Sequence, residues 1–534
     1  MSGVFIVVAV WLGLVVLEGA RRFIRRRLSN YRVDVVQVDE SQPVRLEGKK
    51  RVAIMGGGLA GVAAASTLSQ AGFDVTVFEA KPQLGGKLAS WKVDFENGES
   101  ARVTHGFHAF FRHYYNLNRF LDSLSLRATF EPVSDYVILG RDSSRIGFRE
   151  VSTTPVFNLI SMGVHRVYRF ADVLFGNARE LLGVFLEYDE ETTFKEFDNV
   201  SLSEFDRVAQ LPKGLKLAFN NFSRAFFTDE STLSLAELVK AFHFYYLSHD
   251  HGLIYDIPDR DYEAGLWAPI RAHLSQYGVS LRLSTPVESL VRERGEFQVN
   301  GESFDFAIVA ADVVGARAIV TKAKGLEAPA LVERFEKLRP GQRYAVLRLW
   351  LDTDAREGLP VFVSTDRAQL LDSVSFFHRL ERESREWARE HGGSVIELHS
   401  YAVPERFAGE GDVRSALIEE MKLFFPELRG ARIVHEAFQL ERNFTAFQVG
   451  MNADRPPVRS GVPGLSFAGD WVKLPFPAML MEAAFSSGVC AANEVLESCG
   501  LRKARVESVP LQGILHGLPQ TRVRKALVAQ LQEK

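Results

Sequence analysis

The 534 residues carry 64 Lys and Arg against 67 Asp and Glu, a formal net charge of −3, with 46% apolar and 25% charged residues. That is an ordinary globular composition, without the basic field that nucleic acid demands, and the length exceeds what one hydrophobic core organises. Two cysteines, Cys490 and Cys499, are too few for a disulfide framework and wrongly spaced for a metal site, so a reducing compartment and no bound metal are expected.

The chain opens on an apolar run from Val4 to Leu17, followed by Arg21, Arg22, Arg25, Arg26 and Arg27. A cleavable signal peptide has its charges in front of the apolar region, and here they follow it. The positive-inside rule then keeps the remainder on the cytoplasmic side. A helix of about 17–20 residues at ~1.5 Å each is barely long enough to span hydrocarbon, or it lies in the interface with snorkelling arginines. Residues 1–28 are expected to form a membrane-anchor helix, which makes lipid a partner and the location membrane-associated, with the catalytic part on the cytoplasmic side. The alternative is an apolar helix docked on the protein's own surface. Residues 29–48 read as a linker.

Next comes Arg51-Val-Ala-Ile-Met-Gly-Gly-Gly-Leu-Ala-Gly-Val62, an apolar run that ends in glycines and turns helix-forming. Gly56, Gly58 and Gly61 hold the G-x-G-x-x-G spacing: a tight turn, close approach to a pyrophosphate, and close packing of helix on strand. With Gly57, Leu59 and Ala60 between them, they offer backbone N–H groups and a helix N-terminus to an anion. Val75 to Phe78 reads as a second buried strand, and Glu79 at its end is placed to accept from ribose hydroxyls, which disfavours a 2′-phosphate. The loop alone fits NAD or FAD. A second glycine pair, Gly85-Gly86, followed by Lys87, suits a longer cofactor and favours FAD.

Val103 to Leu117 contains His105, His108 and His113 among Phe107, Phe110, Phe111, Tyr114 and Tyr115. On a helix His105 and His108 would share a face at i, i+3. No carboxylate or cysteine stands near to complete a metal shell, so an apolar cavity wall with polar handles is the expectation. Residues 155–247 show helical periodicity and read as a cap over substrate. His249-Asp-His251 reads as a polar turn. Tyr277 to Leu290 and Phe304 to Ala311 look like a return to the nucleotide-binding sheet. Tyr344–Asp352 and Ser394–Tyr401 alternate as antiparallel strands with one covered face. Gly469-Asp470 closes a strand, and a helix follows near Ala478. Asp470 is a candidate for a ribityl hydroxyl, and Gly469 before it and Met479 at the new helix's start are further candidates for binding the cofactor. The tail from Thr521 is a basic amphipathic helix, suited to a membrane surface or to capping the fold.

The expected fold is α/β: a Rossmann-like FAD-binding domain assembled from residues 49–150, 271–315 and 441–505. A helical substrate cap (151–270), a substrate domain with a mixed or antiparallel sheet (316–440) and a tail (506–534) complete it. Together these blocks resemble the FAD-dependent carotene desaturase and amine oxidase superfamily. The most specific pieces are His105-Gly-Phe-His-Ala-Phe-Phe-Arg112 with Tyr114-Tyr-Asn-Leu117, Ala468-Gly-Asp-Trp-Val-Lys-Leu-Pro-Phe-Pro477 with Met481-Glu482, and Val509-Pro-Leu-Gln-Gly513. They are similar to the carotenoid φ-ring and χ-ring synthases.

The resemblance implies conversion of a carotenoid β-ionone ring to an aromatic ring, with one methyl shifted within the substrate and hydrogen removed to flavin. It also implies that Gly56, Gly58 and Gly61 bind the pyrophosphate, Glu79 the ribose, Gly86 and Lys87 the phosphate and flavin side, Val287 the adenine and Asp470 the ribityl chain. Phe107, Phe110 and Tyr114 are candidate substrate walls, and His105, His108 and Glu482 candidate acid–base groups. A quinone is a candidate electron acceptor. The competing readings are a desaturase or cis–trans isomerase of an acyclic carotene, a flavin amine oxidase of polar substrates, and a non-catalytic flavin-binding membrane protein.

Overall fold

The computed structural model describes residues 31–533 except 134, 143, 175, 176 and 251–253, together with residues 11, 13, 15, 18–20 and 22, which are helical. Most of the expected anchor helix, with most of its arginines, lies outside the described residues, as does His251. Among the described residues no helix is long and apolar enough to cross a membrane.

Five parallel strands form one sheet in the spatial order Ser280–Arg282, Asp74–Phe78, Arg51–Met55, Phe306–Val309, Leu465–Phe467. Stretches far apart in the chain thus meet in one layer, with Val52 opposite Val75 and Phe306, and Ala307 opposite Leu465. Val52, Ala53, Ile54 and Met55 are fully buried, as strands covered on both faces require. One cover is the helix Leu59–Gln70, against which the helix Leu480–Ser498 packs. Close approach is possible because Gly488 has no side chain: a Cβ there would stand 2.1 Å from the Ala60 carbonyl oxygen.

A second sheet has seven strands, in the order Ile433–Glu441, Tyr344–Leu351, Ser394–Ser400, Ser373–Phe376, Phe362–Thr365, Tyr136–Leu139, Arg145–Gly147. All pairs are antiparallel except Phe362–Thr365 with Tyr136–Leu139. The expected single covered face is corrected, since every residue of Tyr344–Leu351 and of Ser394–Ser400 is buried. The alternation remains, but each face has its own cover. Leu347, Leu349, Leu351, Ile396 and Leu398 pack with Val413, Leu417 and Met421 of the helix Glu410–Phe424. Tyr344, Val346, Arg348 and Trp350 take the opposite side.

Helices between Phe157 and Phe242 make the cap layer. Local capping sets several of them, including a capping box of Ser201 with Glu204. The layer runs into a π-helical turn, His243–Leu247. The tail helix Arg522–Gln532 docks on the protein: Leu527 and Leu531 are buried, and Arg524 pairs with Glu187. The linker also finds a partner, because Val33–Asp34 pairs antiparallel with Glu507–Ser508.

The segment from His105 departs from expectation. It is not helical up to Tyr114. A strand ends at Thr104, the chain passes irregularly through residues 105–109, and Phe110–Phe111 pairs with Tyr255–Asp256 before the helix Tyr115–Ser123 begins. Gly106, at φ +105°, breaks any helical path there.

Candidate functional site

The site grows from the carboxyl ends of the parallel strands, where open α/β sheets place their ligands. Arg51–Met55 runs into Gly56 at φ +120°, and a Cβ on Gly56 would lie 2.6 Å from the Ala310 carbonyl oxygen. Gly58 is the N-cap of Leu59–Gln70, with no side chain capping the first turn. The second loop crosses here, so that a Cβ on Gly86 would stand 3.3 Å from the Gly58 Cα. Gly56, Gly57, Gly58, Leu59 and Ala60 all face one cavity, as does Gly86. Gly61 does not. A Cβ on it would meet the Gly56 carbonyl oxygen at 1.9 Å, so it serves the contact of helix with strand.

Glu79 is held at the end of its strand by two backbone donors: Gly57 N–H to Oε2 at 2.7 Å and Lys81 N–H to Oε1 at 2.8 Å. Each oxygen keeps a lone pair for a hydroxyl. Asp470 accepts from Thr445 Oγ1 at 2.8 Å, and its Oδ2 is 3.5 Å from Lys87 Nζ. Lys87 also lies over the Phe444 ring, 4.5 Å from its centroid. Glu79, Lys87, Val287, Gly469 and Asp470 share the cavity with the glycine loops. An uncapped helix N-terminus, two glycine loops meeting backbone to backbone, and carboxylates spaced along the same wall fit a long dinucleotide such as FAD.

The cavity measures about 1080 Å³, above the usual range for small ligands. Its other walls are aromatic. Phe107 and Tyr114 line it as expected, joined by Tyr136, Phe148, Phe222 and Tyr246, which the sequence did not single out. Tyr114 Oη is 2.8 Å from Tyr245 Oη. Phe110 is corrected: strand alternation turns Phe111 into the cavity and sends Phe110 into the core, edge-on to Phe130. Met479 is the N-cap of Leu480–Ser498 and buried, whereas Leu480 and Met481 reach the cavity.

Glu482 is also not on the wall. It accepts from Asn116 N–H and Asn116 Nδ2, both at 2.8 Å, and from Leu117 N–H at 3.1 Å. It thereby closes the N-terminus of Tyr115–Ser123, which has no cap of its own. Burial lifts this carboxyl to about 7 against the pull of those donors.

His105 and His108 both line the cavity. Burial holds His105 below its ordinary range and takes His108 down to about 4. Both are therefore neutral at pH 7. His108 Nδ1 is 2.8 Å from the Gly106 carbonyl oxygen and so carries the proton, leaving Nε2 as acceptor. Tyr344 Oη lies 3.4 Å from His105 Nδ1 and 3.5 Å from Glu441 Oε2. Tyr344, Glu441 and His399 are wall residues that the sequence did not flag. No cluster of His, Cys, Asp and Glu among the described residues could hold a metal.

The model of the family described as flavin containing amine oxidoreductase matches residues 59–496. The carotenoid phi-ring synthase of Streptomyces griseus is 34% identical over 86% of this chain and 90% of its own. That of Chlorobaculum tepidum is 25% identical over 88% and 92%. The 15-cis-phytoene desaturase of Synechococcus elongatus is 24% identical over 84% and 96%. Among solved structures, putrescine oxidase bound to putrescine superimposes with a TM-score of 0.60 at 16% identity, covering 84% of this chain and 99% of that one. Reduced UDP-galactopyranose mutase gives 0.59 at 14% identity, covering 84% and 96%. These last two share the fold. The chain belongs to the flavin-containing amine oxidoreductase family, as an FAD-dependent oxidoreductase of its carotenoid-modifying branch.

Proposed function

We propose that this protein converts the β-ring of a carotene into an aromatic φ- or χ-ring, by desaturation with a methyl shift inside the substrate. The observation that carries the reading is one continuous cavity with glycine loops and carboxylates on one wall and aromatic rings on the others. The similarity to carotenoid phi-ring synthases supplies the product class.

Gly56 to Ala60, Gly86 and Lys87 would hold the FAD phosphates, Glu79 a ribose, Val287 the adenine through its backbone and Asp470 the ribityl chain. FAD, when bound, supplies a two-electron acceptor beside the ring. Everything else falls to the chain. Phe107, Tyr114, Tyr136 and Phe148 exclude water, so a cationic ring carbon is not trapped as an alcohol. Aromatic faces attract that positive charge. His105 and His108, held neutral by burial, do not repel it.

The test is expression in β-carotene-producing and lycopene-producing hosts, with pigment identification. Aromatic-ring carotenoids from β-carotene are expected. Unchanged β-carotene beside altered lycopene would overturn ring aromatisation and favour an acyclic desaturase or isomerase, a reading supported by the similarity to 15-cis-phytoene desaturases.

The same reading places the enzyme at a bilayer, where carotenes dissolve, with a quinone as electron acceptor. Support comes from the apolar run Val4–Leu17 and from a surface feature beside the cavity. Leu159 and Met162 of the helix Phe157–Val164 line the cavity, while Ile160, Val164 and nearby Phe170 are exposed at 44%, 64% and 42%.

A further inference from the structure

The cavity-side face of Tyr344–Leu351 and Ser394–Ser400 carries a charged relay that neither the glycine loops nor the aromatic walls require. Glu397 and His399 stand two residues apart on one strand and so share a face. His399 Nε2 is 3.1 Å from Glu397 Oε1. Arg348 sits opposite Glu397 in register, and its Nε donates to Glu397 Oε2 at 2.9 Å. Arg348 is itself fixed: it donates to the Arg102 carbonyl at 3.2 Å and to Thr104 Oγ1 at 3.1 Å, with its guanidinium 3.9 Å from the Phe377 ring centroid and 3.6 Å from Glu381 Oε2. Arg348, Glu397 and His399 are 1%, 0% and 2% exposed. Burying such charges costs desolvation that apolar strand residues would avoid. Of these groups, His399 is the one that lines the cavity.

We infer that His399, oriented by Glu397 and Arg348, is the base that takes the proton lost from carotenoid carbon in each oxidation, an assignment that rests on the carotenoid reading above. The Glu397 carboxylate, 3.1 Å from Nε2 though not aligned as a hydrogen bond, favours a proton on that nitrogen by its charge and so leaves the lone pair on Nδ1. Gly106 keeps that edge open, since a Cβ there would stand 3.3 Å from Nδ1 and 2.9 Å from Cε1. His108, in contrast, spends its Nδ1 proton on the Gly106 carbonyl.

The electron count closes. In each oxidation one hydrogen leaves carbon with its bonding pair for FAD. From a second carbon a C–H bond breaks toward Nδ1, and its electron pair becomes the new C=C. The proton forms an imidazolium that faces the Glu397 carboxylate and later passes to water. The methyl group migrates with its own bonding pair and changes no count. His399 is thus a catalytic residue, and Glu397 and Arg348 are positioning residues.

The groups around His399 that titrate or carry charge are Glu397 on its own strand, Tyr401 just past the strand's end, and Asp372, whose N–H donates to the His399 carbonyl. His108 acts on His399 from the irregular segment after Thr104, with His105 acting on His108 in turn, and Tyr262 acts on Glu397. Any pH profile therefore needs the variant comparison. In holoenzyme with whichever carotene the wild type oxidises, His399→Ala should lower kcat by about 10²–10³-fold, within the range of general-base catalysis. KM and flavin absorbance should hold, the acid limb of the kcat–pH profile should vanish, and added imidazole should restore part of the rate. Without substrate, ¹⁵N NMR of histidine-labelled holoenzyme should show an Nε2–H tautomer signal that His399→Gln removes and Glu397→Gln shifts.

A His399→Ala enzyme with wild-type kcat and an intact acid limb would overturn the assignment. So would a slow variant that imidazole does not rescue, or a wild-type spectrum with Nδ1 protonated. Failure of the ring reading looks different: wild type alters lycopene and leaves β-carotene unchanged, and the His399 comparison is then made on lycopene.

Discussion

Glu482 shows how a residue that looks chemical in the sequence can be architectural in the fold. Its carboxylate takes three donors from Asn116 and Leu117 and ties Leu480–Ser498 to the start of Tyr115–Ser123. In Glu482→Gln one amide N–H₂ would face those donors, leaving a buried N–H unpaired at about 1–3 kcal/mol. A lower Tm is expected, with kcat per bound flavin within a few-fold of wild type; a large kcat loss at unchanged Tm would return Glu482 to the chemistry. His243 gives a second prediction at this scale. It is buried, and its Nε2 donates to the Pro510 carbonyl at 2.6 Å, so it is neutral, with burial taking it down to about 4. The unfolded chain binds that proton near pH 6.5 and the folded chain only near pH 4, so the unfolded state holds more protons between them. Stability from this group is present above about pH 6.5 and is lost as pH falls toward about 4. His108 acts in the same direction. Thermal unfolding followed from pH 7 to 4.5 should show Tm falling, and His243→Gln should flatten part of that slope.

At the level of elements, the contact of Leu59–Gln70 with Leu480–Ser498 links the glycine loop to the C-terminal block. A Cβ on Gly488 would meet the Ala60 carbonyl oxygen at 2.1 Å and Ala63 Cβ at 2.9 Å. Gly488→Ala should therefore push the helices apart and move Leu59 and Ala60 off the cavity. Protein purified from this variant should carry much less flavin by absorbance, whereas Gly430→Ala, at a turn with open space around it and no left-handed backbone, should keep its flavin. The parallel sheet and the glycine loops were legible in the sequence because each depends on local signals: short apolar runs, glycine spacing, a terminal carboxylate. What was not legible depends on partners distant in the chain. Phe110 and Phe111 differ in destination only because the short strand pairs with Tyr255–Asp256. The second sheet alternates visibly, but the sequence does not show that both faces are covered. The Glu397-Leu-His399 alternation placed two polar side chains on one strand face, a signal present in the sequence whose meaning needed Arg348 across the ladder.

For the molecule as a whole, the question is how a water-insoluble polyene reaches a cavity inside a folded enzyme. The tail helix, a candidate for lying on a membrane, has buried Leu527 and Leu531 against the protein and is committed to the fold. Two features remain for a bilayer: the N-terminal apolar run and the exposed apolar residues of Phe157–Val164 with Phe170. They predict different losses. Removing residues 1–28 should reduce co-sedimentation with phospholipid vesicles while leaving turnover of detergent-dispersed carotene near wild type, because the described cavity walls are built from residues between Met55 and Ala484. Changing Ile160, Val164 and Phe170 to Ser, with the N-terminus intact, should leave the enzyme bound to vesicles but slow its use of carotene dissolved in them, since Leu159 and Met162 on the same helix as Ile160 and Val164 line the cavity. Apolar side chains seated in the interface contribute about 25 cal/mol per Å² removed from water, so the triple change should weaken seating of this face strongly while the N-terminal run still holds the enzyme on the vesicle. The two arms separate because one measures attachment and the other delivery. If both variants bind vesicles and consume vesicle-borne carotene as wild type does, the enzyme draws its substrate from elsewhere, and the bilayer has no part in presenting it.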